Sequence, residues 1–275
     1  MTRLFAPRLL PWHLLILLVA AGFVALGLWQ LDRHGQLVER NELRAGRLAA
    51  APSAYRKIVP SLDPDAPEGA DDDPRYRPVF VEGTFLPEHE VLLRGRTLDQ
   101  LPGYHVLTPL RLSSALPQGG GRAVLVDRGW IPFRYDEPGV PSWAPPEGTV
   151  VVLGRLMPEA DAPEGPLAAL APRDPAEGPL TNVARPDVER LQAQVPVPLD
   201  PFVVEATGIE ARATVDGEAS PLPRIPPAPA PEAGPHLGYA IQWFFFAGVA
   251  IVGYALLLRR RLADGAADLN GRPAA

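Results

Sequence analysis

Cysteine is absent from the 275-residue sequence, which excludes disulfide bridges, thiolate metal sites and cysteine nucleophiles. Lysine is nearly absent as well, since Lys57 is the only one among 26 basic residues. The 32 acidic residues make the net charge −6, so the chain lacks the basic surface that nucleic-acid binding requires. Serine is scarce, and neither Gly-x-Ser-x-Gly nor a glycine-rich phosphate loop occurs. We therefore expect no nucleic-acid partner and no enzyme with a recognisable catalytic centre.

Two long runs contain no charged residue. Residues 9–31 hold no Asp, Glu, Lys or Arg, and a helix of this length reaches about 35 Å, enough to cross a hydrocarbon core of about 30 Å. Residues 237–258 form a second such run. A cleaved signal peptide is the alternative for the first run, but the apolar core of a signal peptide is usually only about 7–15 residues long. The two runs predict two transmembrane helices.

Basic residues at the two ends of the chain predict its orientation. Arg3 and Arg8 precede the first run, and Arg259, Arg260 and Arg261 follow the second. This bias places both termini in the cytoplasm. The segment between the runs carries 20 basic and 30 acidic residues, which agrees with an outer location. Fewer than ten residues precede the first run and leave no room for a mitochondrial transit peptide, so we expect a two-pass protein of the bacterial plasma (inner) membrane.

The segment between the two runs has the pattern of a β-rich domain. Short β-branched runs are separated by Gly and Pro, which predicts a mainly antiparallel, small barrel-like domain outside the membrane. The expected fold class is membrane α+β, with two transmembrane helices flanking that domain.

The predicted strands cover residues 78–84, 90–95, 104–112, 123–130, 149–156 and 201–206, and one helix covers 187–194. The predicted divisions are a cytoplasmic N-terminus (1–8), the first transmembrane helix (9–31), a helix extension and linker (32–74), the β-rich domain (75–222), a Pro-rich connector (223–236), the second transmembrane helix (237–258) and a cytoplasmic tail (259–275).

Several polar or Pro/Gly-rich stretches are predicted to be linkers. In the segment 60–74 the acidic residues, Asp73 among them, are expected to be solvated. The triplet Gly119–Gly121 predicts a hairpin loop. Residues 158–179 are rich in Pro, Gly, Glu and Ala, and we interpret them as a flexible insertion.

The position of one histidine makes it a candidate ligand. His236 immediately precedes the second apolar run, where a neutral imidazole can bind a metal or a haem iron. Aromatic and polar residues accompany it on its own helix face and at the matching end of the first run; they are Tyr239, Trp243, Trp29, Gln30 and Arg33. Arg33 could neutralise a haem propionate. An interfacial aromatic belt with a snorkelling arginine is the alternative, and the residues alone leave both interpretations open.

The other histidines have ordinary structural interpretations. His13 and His34 lie at opposite ends of the first run and are read as interfacial residues. His105 lies inside a predicted strand and is read as a half-buried sheet residue.

Four segments together resemble one known family. In chain order they are LGLWQLDR (26–33), PGYHVLTPL (102–110), VLVDRGWIP (124–132) and PHLGYAIQWF (235–244). Their order and their placement relative to the two apolar runs resemble the surfeit locus protein 1 family, assembly factors of cytochrome c oxidase.

The resemblance implies a cytochrome c oxidase biogenesis factor. It would assist the delivery of haem a to the catalytic subunit at the outer side of the membrane, with His236 as the haem ligand. The implied partners are oxidase subunit I and, as a further candidate, the haem a synthase. The alternative function is a cofactor-free membrane scaffold that stabilises an oxidase assembly intermediate.

The matched segments also contain residues that we interpret as architectural. Gly103 and Tyr104 are read as a turn and a core aromatic. Arg128, Gly129 and Trp130 are read as an arginine packed over a tryptophan with a glycine that permits a turn. A contact with a partner protein is the alternative for this triplet.

Overall fold

The computed structural model describes residues 9–113, 121–135, 143–158, 172–211, 222–231 and 234–270. The chain forms two units, one made of Met1–Glu42 with Ala230–Ala275 and the other of Leu43–Pro229. Two predicted features fall partly outside the described residues: Gly119 and Gly120 of the hairpin loop, and residues 159–171 of the insertion.

Two long helices make up the first unit. Helix α1 spans Leu10–Leu48 and α4 spans His236–Asn270, and the last turns of α1, from Leu43, belong to the second unit. Both helices, α4 as far as Ala263, are long and apolar enough to cross a membrane. The two predicted helices are therefore present, and the first continues without a break into the polar residues that follow the apolar run.

Helices α1 and α4 pack through small and aromatic side chains. Ala20 and Gly27 are buried on α1. A Cβ atom on Gly27 would come within 2.7 Å of the ring of Phe244, so glycine is required for this approach. One step along the same face, the rings of Phe23 and Trp243 are stacked with their centroids 5.6 Å apart. On α1, Ala20, Phe23 and Gly27 follow one another at spacings of three and four residues, so they lie on the one face that packs against α4.

The second unit is built on one sheet of eight strands. These are β1 (Ser53–Ala54), β2 (Pro78–Phe85), β3 (Val91–Leu98), β4 (Leu101–Leu112), β5 (Ala123–Pro132), β6 (Val150–Pro158), β7 (Asn182–Val183) and β8 (Leu199–Ala211). Two short helices accompany them, α2 (Tyr55–Ile58) and α3 (Val188–Gln192). The strand order is β1-β2-β6-β8-β5-β4-β3-β7, with an additional pairing between β2 and β4.

The strand pairings explain how this sheet curves and why it is mixed. Because β2 pairs with both β6 and β4, the strands β2, β6, β8, β5 and β4 form a closed ring. The pairs β1–β2, β3–β7 and β5–β8 are parallel, and the other described pairs are antiparallel. A parallel pair requires a long connection, which β6, β7 and α3 provide between β5 and β8. The sheet is therefore mixed, with the predicted antiparallel pairs in the majority.

Alternating side chains fill the two faces of the sheet. Val81 and Val126 belong to the cluster inside the ring. Leu107 and Leu125 belong to a cluster on the opposite face, together with Leu191 of α3. This period of two is the pattern from which the strands were predicted.

A buried carboxylate fastens the segment after α2 to the last turn of α1. Asp73 is fully buried, and its two carboxylate oxygens accept from Arg47 Nη1 at 2.6 Å and from Arg75 Nη1 at 3.0 Å. The backbone amides of Gly69 and Arg75 also donate to it, at 2.8 and 2.9 Å. The expectation that Asp73 is solvated is wrong, because two guanidinium groups and two amides replace its water shell.

The same contacts determine the protonation of Asp73. Burial by itself would raise its pKa, but the amides of Gly69 and Arg75, followed by the guanidinium groups of Arg47 and Arg75, outweigh burial and hold the pKa below its usual value. A carboxylate whose pKa is lower in the folded state stabilises the fold above its unfolded pKa of about 3.9. That stabilisation is lost as the pH falls through the folded value.

We expect Asp73→Asn to lower the free energy of unfolding at pH 7 by about 1–3 kcal/mol, because Arg47 and Arg75 lose their counter-charge. The difference from the unchanged protein should shrink as the pH falls below 4. Denaturant unfolding of the full chain in detergent, followed by tryptophan fluorescence, measures both effects. The exposed Asp72→Asn is the matched control, and an equal loss in the two variants would contradict the role of Asp73.

Candidate functional site

The candidate site lies where the first residue of α4 meets α1. His236 Nδ1 and Gln30 Oε1 are 2.9 Å apart. Because a carbonyl oxygen can only accept, this contact fits an imidazole that donates from Nδ1. Gln30 therefore orients the ring through Nδ1, and Nε2 takes no part in this contact.

A glycine leaves room on the Nε2 side of this imidazole. Gly234 has a left-handed φ of +57°, which suits glycine. A Cβ atom at Gly234 would lie 3.6 Å from His236 Nε2 and 2.7 Å from a methyl carbon of Leu37. A larger residue would therefore press on Leu37 of α1 and on Cδ2 of the His236 ring, 3.1 Å away, and would stand at contact distance from Nε2.

The three aromatic residues predicted at this site have different surroundings. Trp243 is stacked on Phe23 and takes part in helix packing. Trp29 and Tyr239 are about half exposed. Exposed aromatic side chains at the end of an apolar helix are typical of a membrane interface, and they also offer apolar surface beside His236.

Arg33, the predicted partner of a haem propionate, forms hydrogen bonds within α1. Arg33 Nη1 donates to Gln36 Oε1 at 2.8 Å, and Gln36 Nε2 donates to Asp32 Oδ2 at 2.9 Å. These contacts are exposed, so a stronger anionic acceptor could replace Gln36 at little cost. The structure thus brings together His236 and Gln30, and it places Arg33 in a separate surface chain.

The residues present fit a haem iron. A histidine that ligates a metal commonly donates its second ring nitrogen to an oxygen acceptor, as His236 does to Gln30. The missing side chain of Gly234 leaves space at Nε2, and Trp29 and Tyr239 supply apolar surface. Within the described part of the chain, no group of three or more His, Cys, Asp or Glu side chains could hold a metal ion.

Arg128 of the matched triplet lies at the centre of a buried polar cluster. Its Nη2 donates to Glu90 Oε2 at 2.7 Å and to the carbonyl of Trp143 at 2.7 Å, and its Nε donates to Thr108 Oγ1 at 2.9 Å. The Thr108 hydroxyl and the Trp143 indole also donate to the Glu90 carboxylate, at 2.8 and 3.0 Å. Only 2% of the Arg128 side chain and 1% of the Glu90 side chain are exposed.

This cluster corrects the predicted role of Arg128. Its guanidinium group lies over the ring of Phe85, 5.6 Å from the centroid, and its ionic partner is Glu90. Burial lowers the pKa of Arg128, and the Glu90 carboxylate opposes that shift. The packing of Arg128 over Trp130 is therefore a wrong prediction. A buried arginine requires an acidic partner, but the sequence does not say which of the acidic residues provides it.

The glycines of the two matched segments in the sheet unit, Gly103 and Gly129, lie inside strands and not in turns. A Cβ atom on Gly103, in β4, would come within 2.4 Å of the Trp130 indole nitrogen. Gly129, in β5, has a φ of +120°, and a Cβ atom there would lie 2.6 Å from the carbonyl oxygen of Arg224. Both glycines therefore permit close packing across strands, while Tyr104 beside Gly103 is buried.

We expect Arg128→Met to reduce the free energy of unfolding by about 3–5 kcal/mol, because it leaves the buried Glu90 carboxylate without the counter-charge of Arg128. Adding Glu90→Gln should recover part of that loss. Denaturant unfolding of the single and double variants in detergent measures the coupling between the two positions. The exposed Arg134→Met is the control, and a loss no larger than in this control would count against the cluster.

Comparison with known proteins gives one consistent result. A sequence model of the SURF1 family matches residues 17–248. Uncharacterized SURF1-like proteins of Mycobacterium bovis and Mycobacterium tuberculosis are each 27% identical over 260 residues, covering 91% of this chain and 86% of each relative. A SURF1-like protein of Monosiga brevicollis is 31% identical over 155 residues, covering 53% of each chain. The family match includes the whole sheet as well as Gln30 and His236.

Proposed function

The chain belongs to the SURF1 (surfeit locus protein 1) family, which is associated with cytochrome c oxidase assembly, and on that premise we propose that it assists the delivery of haem a to the catalytic subunit of the oxidase. The observation that carries the proposal is the contact between His236 and Gln30. This contact engages Nδ1 of the imidazole at the first residue of an apolar helix and leaves Nε2 for a metal. When bound, haem a supplies an iron that accepts such a nitrogen.

Each residue near the site has a part in this proposal. His236 is the ligand through Nε2, and Gln30 orients its ring. Trp29 and Tyr239 cover the apolar face of the macrocycle. Arg33 exchanges its surface contact with Gln36 for a propionate, because a charged acceptor binds a guanidinium group more strongly than an amide does.

The proposal includes a membrane location. Both apolar helices cross a bacterial plasma membrane, the termini are cytoplasmic, and the sheet unit lies on the outer side. The protein acts as a carrier or chaperone and has no bond-making step of its own. Its partners are oxidase subunit I and the haem a synthase.

The test is the visible spectrum of protein purified from the membranes of cells that make haem a. We expect a haem a spectrum in the unchanged protein and its loss in His236→Ala, with equal amounts of protein in the membrane. His89→Ala, which changes a histidine of the sheet unit, is the matched control. If neither form carries haem while oxidase assembly still depends on the protein, the cofactor-free scaffold is the correct function.

A second prediction concerns the haem affinity of two variants at Gln30. Gln30→Leu removes the acceptor for His236 Nδ1, and we expect haem affinity to fall about 10–100-fold, as is usual when the partner of a metal-binding histidine is removed. Gln30→Glu keeps an acceptor and should retain binding. Titration of the haem-free protein measures both affinities, and equal binding by the leucine and glutamate variants would exclude a positioning role for Gln30.

A further inference from the structure

A second histidine lies in the part of α1 that faces His236. Gln30 contacts His236, and Leu37 lies within 2.7 Å of the place that a Cβ on Gly234 would take. His34 follows Gln30 by four residues and precedes Leu37 by three. Residues at this spacing share one face of a helix, so His34 lies on the face of α1 that meets the start of α4.

The His34 side chain contains a polar atom without a hydrogen bond. Its Nδ1 is buried, and it has no hydrogen-bond partner among the residues that the structure describes. Leaving a buried nitrogen unpaired is unfavourable, and groups of this kind in native proteins commonly indicate a ligand or a solvent molecule. The packing alone therefore does not explain the buried, unpaired Nδ1 of this half-buried residue.

The orientation of His236 places its free nitrogen toward the same part of α1. Its Nδ1 lies at Gln30, while its Nε2 lies on the side of Gly234, whose neighbour on α1 is Leu37. Along α1, His34 stands between Gln30 and Leu37. His34 therefore lies on α1 between the residue that contacts His236 Nδ1 and the residue nearest Gly234.

We propose that His34 and His236 are the two imidazole donors to one transition-metal centre held between α1 and α4. Imidazole nitrogen suits iron, copper and zinc alike, so the centre is either the iron of a haem or a free ion. Gln30 fixes Nδ1 of His236 and leaves Nε2 for the metal. The haem form of this inference rests on the proposed function, whereas the two-imidazole site does not.

The haem form is tested on protein purified with haem, carrying an affinity tag without histidines. Visible and electron paramagnetic resonance spectra should show a six-coordinate, low-spin iron with two imidazole ligands. His34→Ala should keep the haem but convert it to a high-spin form, and added imidazole should restore the low-spin spectrum. His236→Ala should lose the haem. A low-spin spectrum that His34→Ala leaves unchanged would exclude His34 as the second ligand.

The ion form is tested on haem-free protein titrated with copper(II). We expect one copper per chain, with hyperfine coupling to two nitrogen atoms in the electron paramagnetic resonance spectrum. His34→Ala and His236→Ala should each weaken binding at least tenfold, while His89→Ala should bind as the unchanged protein does. Thermal unfolding checks that each variant is folded, and His34→Gln repeats the test with a polar side chain in case the alanine variant unfolds.

The two arms separate this inference from the proposed function. Copper binding that needs both histidines, in a protein that never carries haem, would support the site and overturn the haem proposal. The opposite outcome is that haem binding depends on His236 while His34→Ala changes neither haem binding nor copper binding. That outcome would overturn the two-histidine site and leave the haem proposal intact.

Discussion

The sheet unit depends on the buried ion pair between Arg128 and Glu90. Both charges are removed from water, and hydrogen bonds with Thr108 and Trp143 help to offset that cost. The pair joins the residue before β3 to β4, β5 and the segment after β5. An apolar core accepts many similar packings, whereas this cluster is satisfied only when those elements are neighbours. Gly103 and Gly129 have a related role, because they allow strands and side chains to approach more closely than any other residue would permit.

In the helix unit, too, a few specific contacts determine how the elements pack, although fewer polar groups take part. In a hydrocarbon environment, apolar side chains gain little by exchanging lipid for another helix, so close packing and polar contacts determine how two helices pair. The contact of Gly27 with Phe244 provides the close packing. The pairs His13–Tyr254 and His236–Gln30 provide hydrogen-bonding partners near the two ends of the apolar seam. The pair that includes His236 also belongs to the proposed haem site, so one contact would serve both helix pairing and that site.

Much of the fold could be predicted because its signals are local. Two uncharged runs predicted the helices, and alternation with Gly and Pro boundaries predicted the six longer strands within a few residues. The two-residue strands β1 and β7 were missed because so short an element has no periodicity. The parallel pairs were missed because strand direction depends on long connections that no local pattern describes. The same limit applies to Asp73, which was predicted to be solvated from the composition of its segment and is buried against its neighbour Arg75 and against Arg47 of α1.

The sequence by itself determined the two apolar helices, the β-rich segment between them, the family resemblance and the candidate ligand His236. These follow from hydropathy, side-chain periodicity and short motifs, each of which is a property of neighbouring residues. Only the tertiary structure decided that Gln30 contacts His236, that Glu90 pairs with Arg128, and that His34 shares the face of α1 that meets the start of α4. Those relations join residues that are distant in the chain or on different helices. A hydrogen bond or an ion pair is decided by distances of a few ångströms, which the order of the residues does not contain.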